Sequence, residues 1–179
     1  MVAVPRIFER VYGRISDQMD KKGRKARMLF DLTVSVGWKR FLHQQGRGGW
    51  PLGSLLWPLL DRLVASKVTA KLGGRLRAAI SGGAALNEDI ARVFISLGVP
   101  IVQGYGLTET APVVSVNPLE DNIPSSVGVP IRGVQVKIGA NDELLVKGPG
   151  LMLGYWNNHA ATAQAIDADG WLHTGDQAR

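Results

Sequence analysis

The sequence predicts an α/β protein in which a parallel sheet is followed by an antiparallel, barrel-like β segment. Three patterns predict this fold: helical spacing of apolar residues over the first eighty residues, a strand–helix–strand order in the middle, and a two-residue apolar period after about residue 125. We therefore expect residues 1–125 to form an α/β portion and residues 126–179 to form a β-rich portion.

The composition indicates a globular protein with a core of ordinary size. The 179 residues are 45% hydrophobic and 20% charged, which excludes a disordered chain. Cysteine is absent, which excludes disulfides, zinc–thiolate sites and a cysteine nucleophile. No apolar stretch approaches the roughly 20 residues that span a bilayer, and no signal peptide is recognisable. We therefore expect a cytoplasmic protein.

Positive charge is concentrated in the first eighty residues. They carry 16 Lys and Arg against 5 Asp and Glu, whereas the remainder carries 5 against 10. The basic run at residues 21–27 is typical of a solvated turn between helices, and it also suits an anionic membrane surface. No aromatic residue interleaves with the run, so we expect no nucleic-acid partner. Peripheral contact with the inner face of a membrane stays open.

Helical spacing predicts the first elements. Val11, Ile15 and Met19 recur at helical intervals, and the pattern continues over residues 26–41. A break over residues 46–51 precedes a further helix at residues 52–72, which we expect to be interrupted near Pro58 and to end at a pair of glycines.

The middle of the chain predicts two parallel strands. Residues 76–80 and 99–103 are short apolar runs, and a helix over residues 88–97 separates them. Asn87 is the expected N-cap, and Gly98 is the expected residue after the helix. Ligands of such sheets bind beyond the carboxyl ends of the strands. Glycine-rich segments at residues 81–85 and 104–106 follow both strands, which places a candidate site at that edge.

The last third predicts antiparallel strands. Residues 126–129, 133–138 and 142–147 alternate with a period of two, and turn residues separate them. A short helix is expected within residues 157–168.

The segment from residue 103 to residue 110 has the residues of a nucleotide site. Gly104 and Gly106 let a ligand approach the backbone, and the ring of Tyr105 between them can face a flat heteroaromatic group. The alternative is a structural glycine pair at the end of a strand. A dinucleotide fingerprint would require a third glycine at Glu109, and no phosphate-binding loop with the G-x-x-x-x-G-K-[ST] pattern occurs.

Three neighbouring side chains suit the polar parts of a nucleotide. Gln103 carries a donor and an acceptor that can read a base edge, and Thr108 offers a hydroxyl. Glu109 is a hard oxygen ligand that suits Mg²⁺ held partly by phosphates. A capping role for Thr108 is the structural alternative.

Two further residues are candidates on pattern alone. Ser81 lies in a near match to the G-x-S-x-G nucleophile elbow, and His159 and His173 follow it in the chain. The first glycine of the motif is replaced by Ala79, however, and no acid is clearly placed to complete a catalytic triad. We therefore reject a serine hydrolase. Asp176 is framed by glycine and threonine, and such a carboxylate can accept both hydroxyls of a ribose. A turn-forming acid is the alternative.

Taken together, these segments resemble the adenylate-forming acyl-CoA synthetases, most closely the long-chain fatty-acid–CoA ligases. The resemblance covers essentially the whole chain and rests on four stretches in order: residues 80–86, residues 103–110, residues 143–149 with 154–156, and residues 170–179. Residues 4–12 are similar to a segment of the long-chain branch.

The resemblance implies a fold and a role for each candidate. The chain would form part of the large N-terminal domain of such an enzyme. Adenine would lie between the ring of Tyr105 and the turn formed by Gly82, Gly83 and Ala84, with Gln103 or nearby backbone reading its edge. The catalytic pair would be Thr108, on the α-phosphate, and Glu109, on Mg²⁺. Asp176 would bind the ribose, and the acyl tail would lie near the turn formed by Gly104, Tyr105 and Gly106.

The reaction that the resemblance implies has two steps. A fatty acid and ATP give acyl-AMP and pyrophosphate, and coenzyme A then displaces AMP. The family's phosphate-binding loop would lie upstream of Met1, and its C-terminal lysine domain would lie beyond Arg179. We therefore expect a fragment that is inactive alone, whose exposed sheet edges favour self-association.

Two other functions stay open at this point. One is a different adenylate-forming ligase, acting on an acyl-carrier protein or an aryl acid. The other is a non-catalytic module that binds a nucleotide or a lipid.

Overall fold

A computed structural model describes all 179 residues, which divide into two compact units. The first unit contains residues 1–103 and 117–127, and the second contains residues 104–116 and 128–179. No helix combines the length and apolar character that crossing a membrane would require.

The first unit surrounds three short parallel strands with helices. Strands β1 (Val2–Ala3), β2 (Ala79–Ser81) and β3 (Ile101–Tyr105) pair in that order through the part of β3 that belongs to this unit. The parallel arrangement of β2 and β3 confirms the prediction. Strand β2 is shorter than the predicted run because its ladder begins only where β1 and β3 lie beside it.

The helices of this unit are long at the start and segmented later. They are α1 (Pro5–Lys21), α2 (Arg24–Gln44), a 3₁₀ turn (Leu52–Leu56), α3 (Trp57–Leu60), a π-helical turn (Asp61–Ala65), α4 (Ser66–Lys71) and α5 (Glu88–Ser96). The expected helix at residues 52–72 is thus three kinds of helix in series. Pro58 lies in the first turn of α3, where its missing N–H costs no hydrogen bond.

Helix α5 is bounded as the sequence predicts. The Asn87 side chain accepts hydrogen bonds from the backbone N–H groups of Asp89 and Ile90, at 2.9 and 3.2 Å, and so satisfies two donors of the first turn. Gly98 follows the helix with φ +82°. The prediction of Asn87 as the N-cap is therefore confirmed.

The core of the first unit lies between the helices and the parallel strands. Phe8 and Phe94 meet edge to face with ring centroids 5.9 Å apart. Helix α2 contacts α5 at Gly37, where a Cβ would lie 2.0 Å from the carbonyl oxygen of Ser96. Glycine is required here because the two backbones touch.

The second unit is built from antiparallel pairs. Gly104 and Tyr105 at the end of β3 pair with β4 (Ser115–Val116), which pairs with β5 (Val129–Pro130). A separate sheet contains β6 (Gln135–Ile138), β7 (Glu143–Lys147) and β8 (Leu172–Gln177), and α6 (His159–Ala165) precedes β8. The antiparallel prediction is confirmed, but the three strands form an open sheet and close no barrel.

Candidate functional site

The structure brings Tyr105 and Asp176 together in the second unit. The Tyr105 hydroxyl donates a hydrogen bond to Oδ2 of Asp176 at 2.6 Å. Burial, and then this hydrogen bond to a carboxylate, raise the pKa of Tyr105 to about 12. Tyr105 therefore stays protonated at neutral pH and acts as a donor to Asp176.

The backbone that carries Asp176 is fixed by its neighbours. The N–H of Asp176 donates to Oγ1 of Thr174 at 3.1 Å, and that hydroxyl donates to the carbonyl of Leu144 at 2.7 Å. Gly175, at φ +72°, donates its N–H to Glu143 at 3.0 Å. Asp176 itself is exposed. Its carboxylate is thus presented to solvent from a constrained part of β8.

Glu143 is the acid that anchors this part of β8, and it makes stability depend on pH. His173 Nδ1 lies 2.9 Å from Glu143, and this contact, followed by the Gly175 N–H, holds the pKa of Glu143 below its ordinary value of 4.5. A carboxyl whose pKa is lowered by folding stabilises the folded state above its unfolded pKa, and this contribution is lost as pH falls through the folded value.

We therefore expect the free energy of unfolding to fall as the pH drops below about 4.5, with the loss reduced in the Glu143→Gln variant. Thermal melting of both proteins between about pH 6 and about pH 3 measures this loss of stability. Glu120→Gln, at an exposed position, is the matched control and should follow the unsubstituted chain. Equal acid sensitivity of all three proteins would contradict the assignment.

Glu109 has a partner that the sequence did not predict. The hydroxyl of Tyr155 donates to Oε1 of Glu109 at 2.9 Å, and this bond raises the pKa of Tyr155. The backbone N–H of Met152 donates to the Glu109 carbonyl at 2.8 Å. Tyr155 lies in one of the four stretches that carry the family resemblance, but nothing in the sequence indicates that its side chain contacts Glu109.

The turn that carries Thr108 and Glu109 is held by Thr110. Its Oγ1 accepts from the N–H of Leu107 at 3.0 Å and donates to the Leu107 carbonyl at 2.9 Å. Thr108 is exposed, so its hydroxyl is available to a ligand. Gly106 begins this turn, and a Cβ there would lie 1.7 Å from the carbonyl oxygen of Pro112. Close backbone contact therefore accounts for this glycine.

The candidate site residues of the first unit lie in the turn after β2 and in β3. The turn formed by Gly82, Gly83 and Ala84 comes directly after β2, with Gly83 at φ +82°. Gln103 is buried; its Oε1 accepts from the Leu86 N–H at 2.8 Å, and its Nε2 donates to the Pro124 carbonyl at 2.5 Å. The Gln103 amide therefore connects two loops of this unit.

The structure gives Ser81 none of the partners that activate a serine nucleophile. Its side chain is 1% exposed, and its Oγ has no hydrogen-bond partner, so no base activates it. His173 contacts Glu143 instead.

No group of three or more His, Cys, Asp or Glu side chains is placed to hold a metal ion. Glu109 is therefore not part of an all-protein metal cage.

The chain is similar to enzymes that activate carboxylic acids. Residues 1–156 match the profile of the AMP-binding enzyme family. The chain is 36% identical over 176 residues to the long-chain-fatty-acid–CoA ligase FadD15 of Mycobacterium bovis, covering 98% of this chain and 29% of that protein. It is 31% identical to the long-chain-fatty-acid–[acyl-carrier-protein] ligase AEE15 of Arabidopsis thaliana, covering 98% of this chain and 29% of that protein.

A solved structure agrees with these relatives. The anthranilate CoA ligase AuaEII, in complex with anthranoyl-AMP, superimposes with a TM-score of 0.52 and 27% identity over 56% of this chain and 21% of that chain. The chain thus spans less than a third of the length of each of these three proteins.

Proposed function

Because this chain belongs to the AMP-binding enzyme family of adenylate-forming ligases, we propose that it supplies the adenosine-binding part of an ATP-dependent long-chain fatty-acid–CoA ligase. The reaction converts a fatty acid, ATP and coenzyme A into acyl-CoA, AMP and pyrophosphate through acyl-AMP. The observation that carries the proposal is the exposed carboxylate of Asp176, fixed beside the ring of Tyr105. The similarity to FadD15 supports the long-chain substrate.

The adenine base is bound by the ring of Tyr105, which covers one of its faces. Because both ends of the Gln103 amide already bond to this chain's backbone, nearby backbone rather than that side chain reads the base edge. The acyl tail lies near the turn that contains Gly104, Tyr105 and Gly106.

The ribose and the phosphates are bound by polar side chains. Asp176 accepts the ribose hydroxyls, and its Oδ1 has no partner within the chain, so that oxygen is free for the ligand. The exposed Thr108 donates its hydroxyl to the α-phosphate. These residues position the reactants and offset charge, which is what transfer of the adenylyl group to a carboxylate, with release of pyrophosphate, requires of a protein.

Glu109 is the residue that would hold Mg²⁺. One of its carboxylate oxygens accepts a hydrogen bond from Tyr155. The other oxygen remains as a single hard ligand for the ion. Mg²⁺ is commonly held by one or two carboxylates together with substrate phosphates, so a lone acid without a surrounding cluster fits this ion. When bound, the ion neutralises phosphate charge. Tyr155 orients the Glu109 carboxylate.

Calorimetric titration of this chain with an alkyl-sulfamoyl adenosine, a stable mimic of acyl-AMP, tests the proposal. We expect saturable binding that is tighter for a long alkyl group than for an aryl group in the same position. Preference for the aryl compound would favour an aryl ligase. Binding of adenosine without either acyl mimic adding affinity would favour a non-catalytic nucleotide module.

We also propose peripheral membrane contact through a leucine row on the first unit, which consists of Leu52, Leu55 and Leu59. These side chains are 82%, 77% and 57% exposed, and the first eighty residues carry the excess of positive charge. We expect co-sedimentation with anionic vesicles that decreases with salt. Exchanging the three leucines for serine should abolish it. Oligomers that form without vesicles would instead indicate self-association through the same row.

A further inference from the structure

Strand β8 contains a β-bulge near its end. On one side of the bulge, Leu145 of β7 pairs with His173. On the other side, Glu143 of β7 pairs with Gln177. One residue of β7 therefore lies opposite three residues of β8, of which the last is Asp176. The extra residues of a bulge leave the regular ladder, and bulges beside functional sites redirect side chains.

Side chains supply the acceptors for the N–H groups of this bulge. The N–H of Gly175 donates to Oε1 of Glu143 at 3.0 Å, in place of a main-chain carbonyl. The N–H of Asp176 donates to Oγ1 of Thr174 at 3.1 Å. The same hydroxyl donates to the carbonyl of Leu144 at 2.7 Å, which ties the bulge back to β7. The backbone that leads into Asp176 is therefore held by one carboxylate and one hydroxyl.

Hydrogen bonds rather than packing hold the chain at Gly175. This residue has φ +72°, a left-handed conformation that glycine adopts without steric cost. Nothing lies within 4 Å of a Cβ at this position, so neighbouring atoms do not confine the backbone there. The direction in which Asp176 leaves the strand depends on this conformation. The bond from Gly175 to Glu143 is thus the contact that restrains it.

The carboxylate of Glu143 is itself fixed from the other side. Its Oε2 lies 2.9 Å from Nδ1 of His173. Nε2 of the same imidazole lies 4.0 Å from Oδ2 of Asp167, whose Oδ1 accepts from the N–H of Trp171 at 2.8 Å. Glu143 is half-buried, whereas Asp176 is exposed. A series of polar contacts therefore orients Glu143 toward the bulge.

We propose that Glu143 is a positioning residue for the ribose: its carboxylate holds the bulge that directs Asp176 toward the nucleotide. The inference rests on the proposed function, in which Asp176 accepts the ribose hydroxyls. Glu143 acts through the backbone of Gly175. Because the bulge is held before the ligand arrives, little conformational freedom is lost on binding.

Calorimetric titration of the 179-residue chain with two ligands tests this role. The ligands are alkyl-sulfamoyl adenosine and its dideoxyribose analogue, which has no hydroxyl for Asp176. We expect the unsubstituted chain to bind the hydroxylated ligand at least about tenfold more tightly. Glu143→Ala should lower this ratio of affinities by about 3- to 10-fold, the effect of one ordinary hydrogen bond. Its affinity for the dideoxyribose analogue should stay unchanged.

Three further variants separate positioning from a general loss of structure. Glu143→Gln should keep the ratio within about twofold, because an amide oxygen can still accept the Gly175 N–H. Asp142→Asn removes an exposed carboxylate one residue away, at φ +60°, which asparagine tolerates, and should leave the ratio unchanged. Thr174→Val removes the acceptor of the Asp176 N–H and should lower the ratio. It carries the same comparison if Glu143→Ala does not fold.

The outcomes distinguish this inference from the proposed function. Equal losses of affinity for both ligands in Glu143→Ala would give Glu143 a structural role only and overturn the inference. An unchanged ratio in the folded variants would overturn it as well, while the ribose site would stand. Equal binding of the two ligands by the unsubstituted chain, or no binding of either, would overturn the ribose site and this inference together.

Discussion

Asp176→Ala should weaken the binding of alkyl-sulfamoyl adenosine by about 10- to 100-fold. In the proposed site the carboxylate accepts the ribose hydroxyls, and a hydrogen bond to a charged group contributes about 1.5–3 kcal/mol. Tyr105→Phe should have a smaller effect, because it keeps the ring that we propose covers adenine and loses only the 2.6 Å hydrogen bond to Asp176. Tyr105→Ala removes the ring as well and should approach the effect of Asp176→Ala. Calorimetric titration of the three variants measures this order.

Asp169→Asn is the matched control for the loss of a carboxylate from the same unit. Only its backbone takes part in hydrogen bonds, to Asp167 and Lys147, so we expect unchanged affinity. Melting curves of each variant establish that it is folded. Full affinity in a folded Asp176→Ala protein would remove Asp176 from the nucleotide site.

Gly37→Ala should destabilise the first unit by about 3 kcal/mol or more. The added Cβ would lie 2.0 Å from the carbonyl oxygen of Ser96 and 2.8 Å from its carbonyl carbon. Backbone atoms cannot rotate away as a side chain can, so α2 and α5 must separate and uncover the core around Phe94. In a chain of this size, such a loss lowers the melting temperature by roughly 6–12 °C.

Gly13→Ala is the matched substitution in another helix interior. Nothing lies within 4 Å of a Cβ at Gly13, so only helix propensity acts there. Alanine should stabilise α1 by about 0.5–1 kcal/mol. Circular dichroism melts of the two variants should therefore shift in opposite directions. A shift of Gly37→Ala in the same direction as Gly13→Ala would show that α2 and α5 do not touch at this position.

The parts of the fold that the sequence predicted well are those determined by local interactions. Helix α5 begins at Asn87 because the side chain satisfies N–H groups two and three residues away. Residues 135–138 form a strand in which apolar and polar side chains alternate, as the sequence shows. Such signals act within a few residues and are visible in the chain itself.

Other elements depend on partners that are distant in sequence. Strand β1 has two residues and exists because Val2 and Ala3 pair with Ile80 and Ser81. The segmentation of residues 52–71 into 3₁₀, α and π turns likewise follows from packing. The sequence predicts a break near Pro58, but it indicates neither β1 nor the π-helical turn, because their packing joins residues that are dozens of positions apart.

The candidate site divides in the same way. Residue type and order alone pointed to Tyr105, Thr108, Glu109 and Asp176, because glycine, hydroxyl and carboxylate groups in that sequence suit a nucleotide. Which groups hold those side chains was decided by tertiary structure. Tyr155 contacts Glu109 across 46 positions of sequence, and Glu143 anchors Gly175, the residue before Asp176 in β8.

By itself, the sequence determined the class of fold, the family and the chemical identity of the candidate residues, since these depend on residue types at short spacing. Tertiary structure alone decided that the Gln103 amide is bonded to backbone groups and that Gly37 and Gly106 are required by backbone contact. The physical reason is that excluded volume and the satisfaction of buried polar groups are settled only when distant segments of the chain meet.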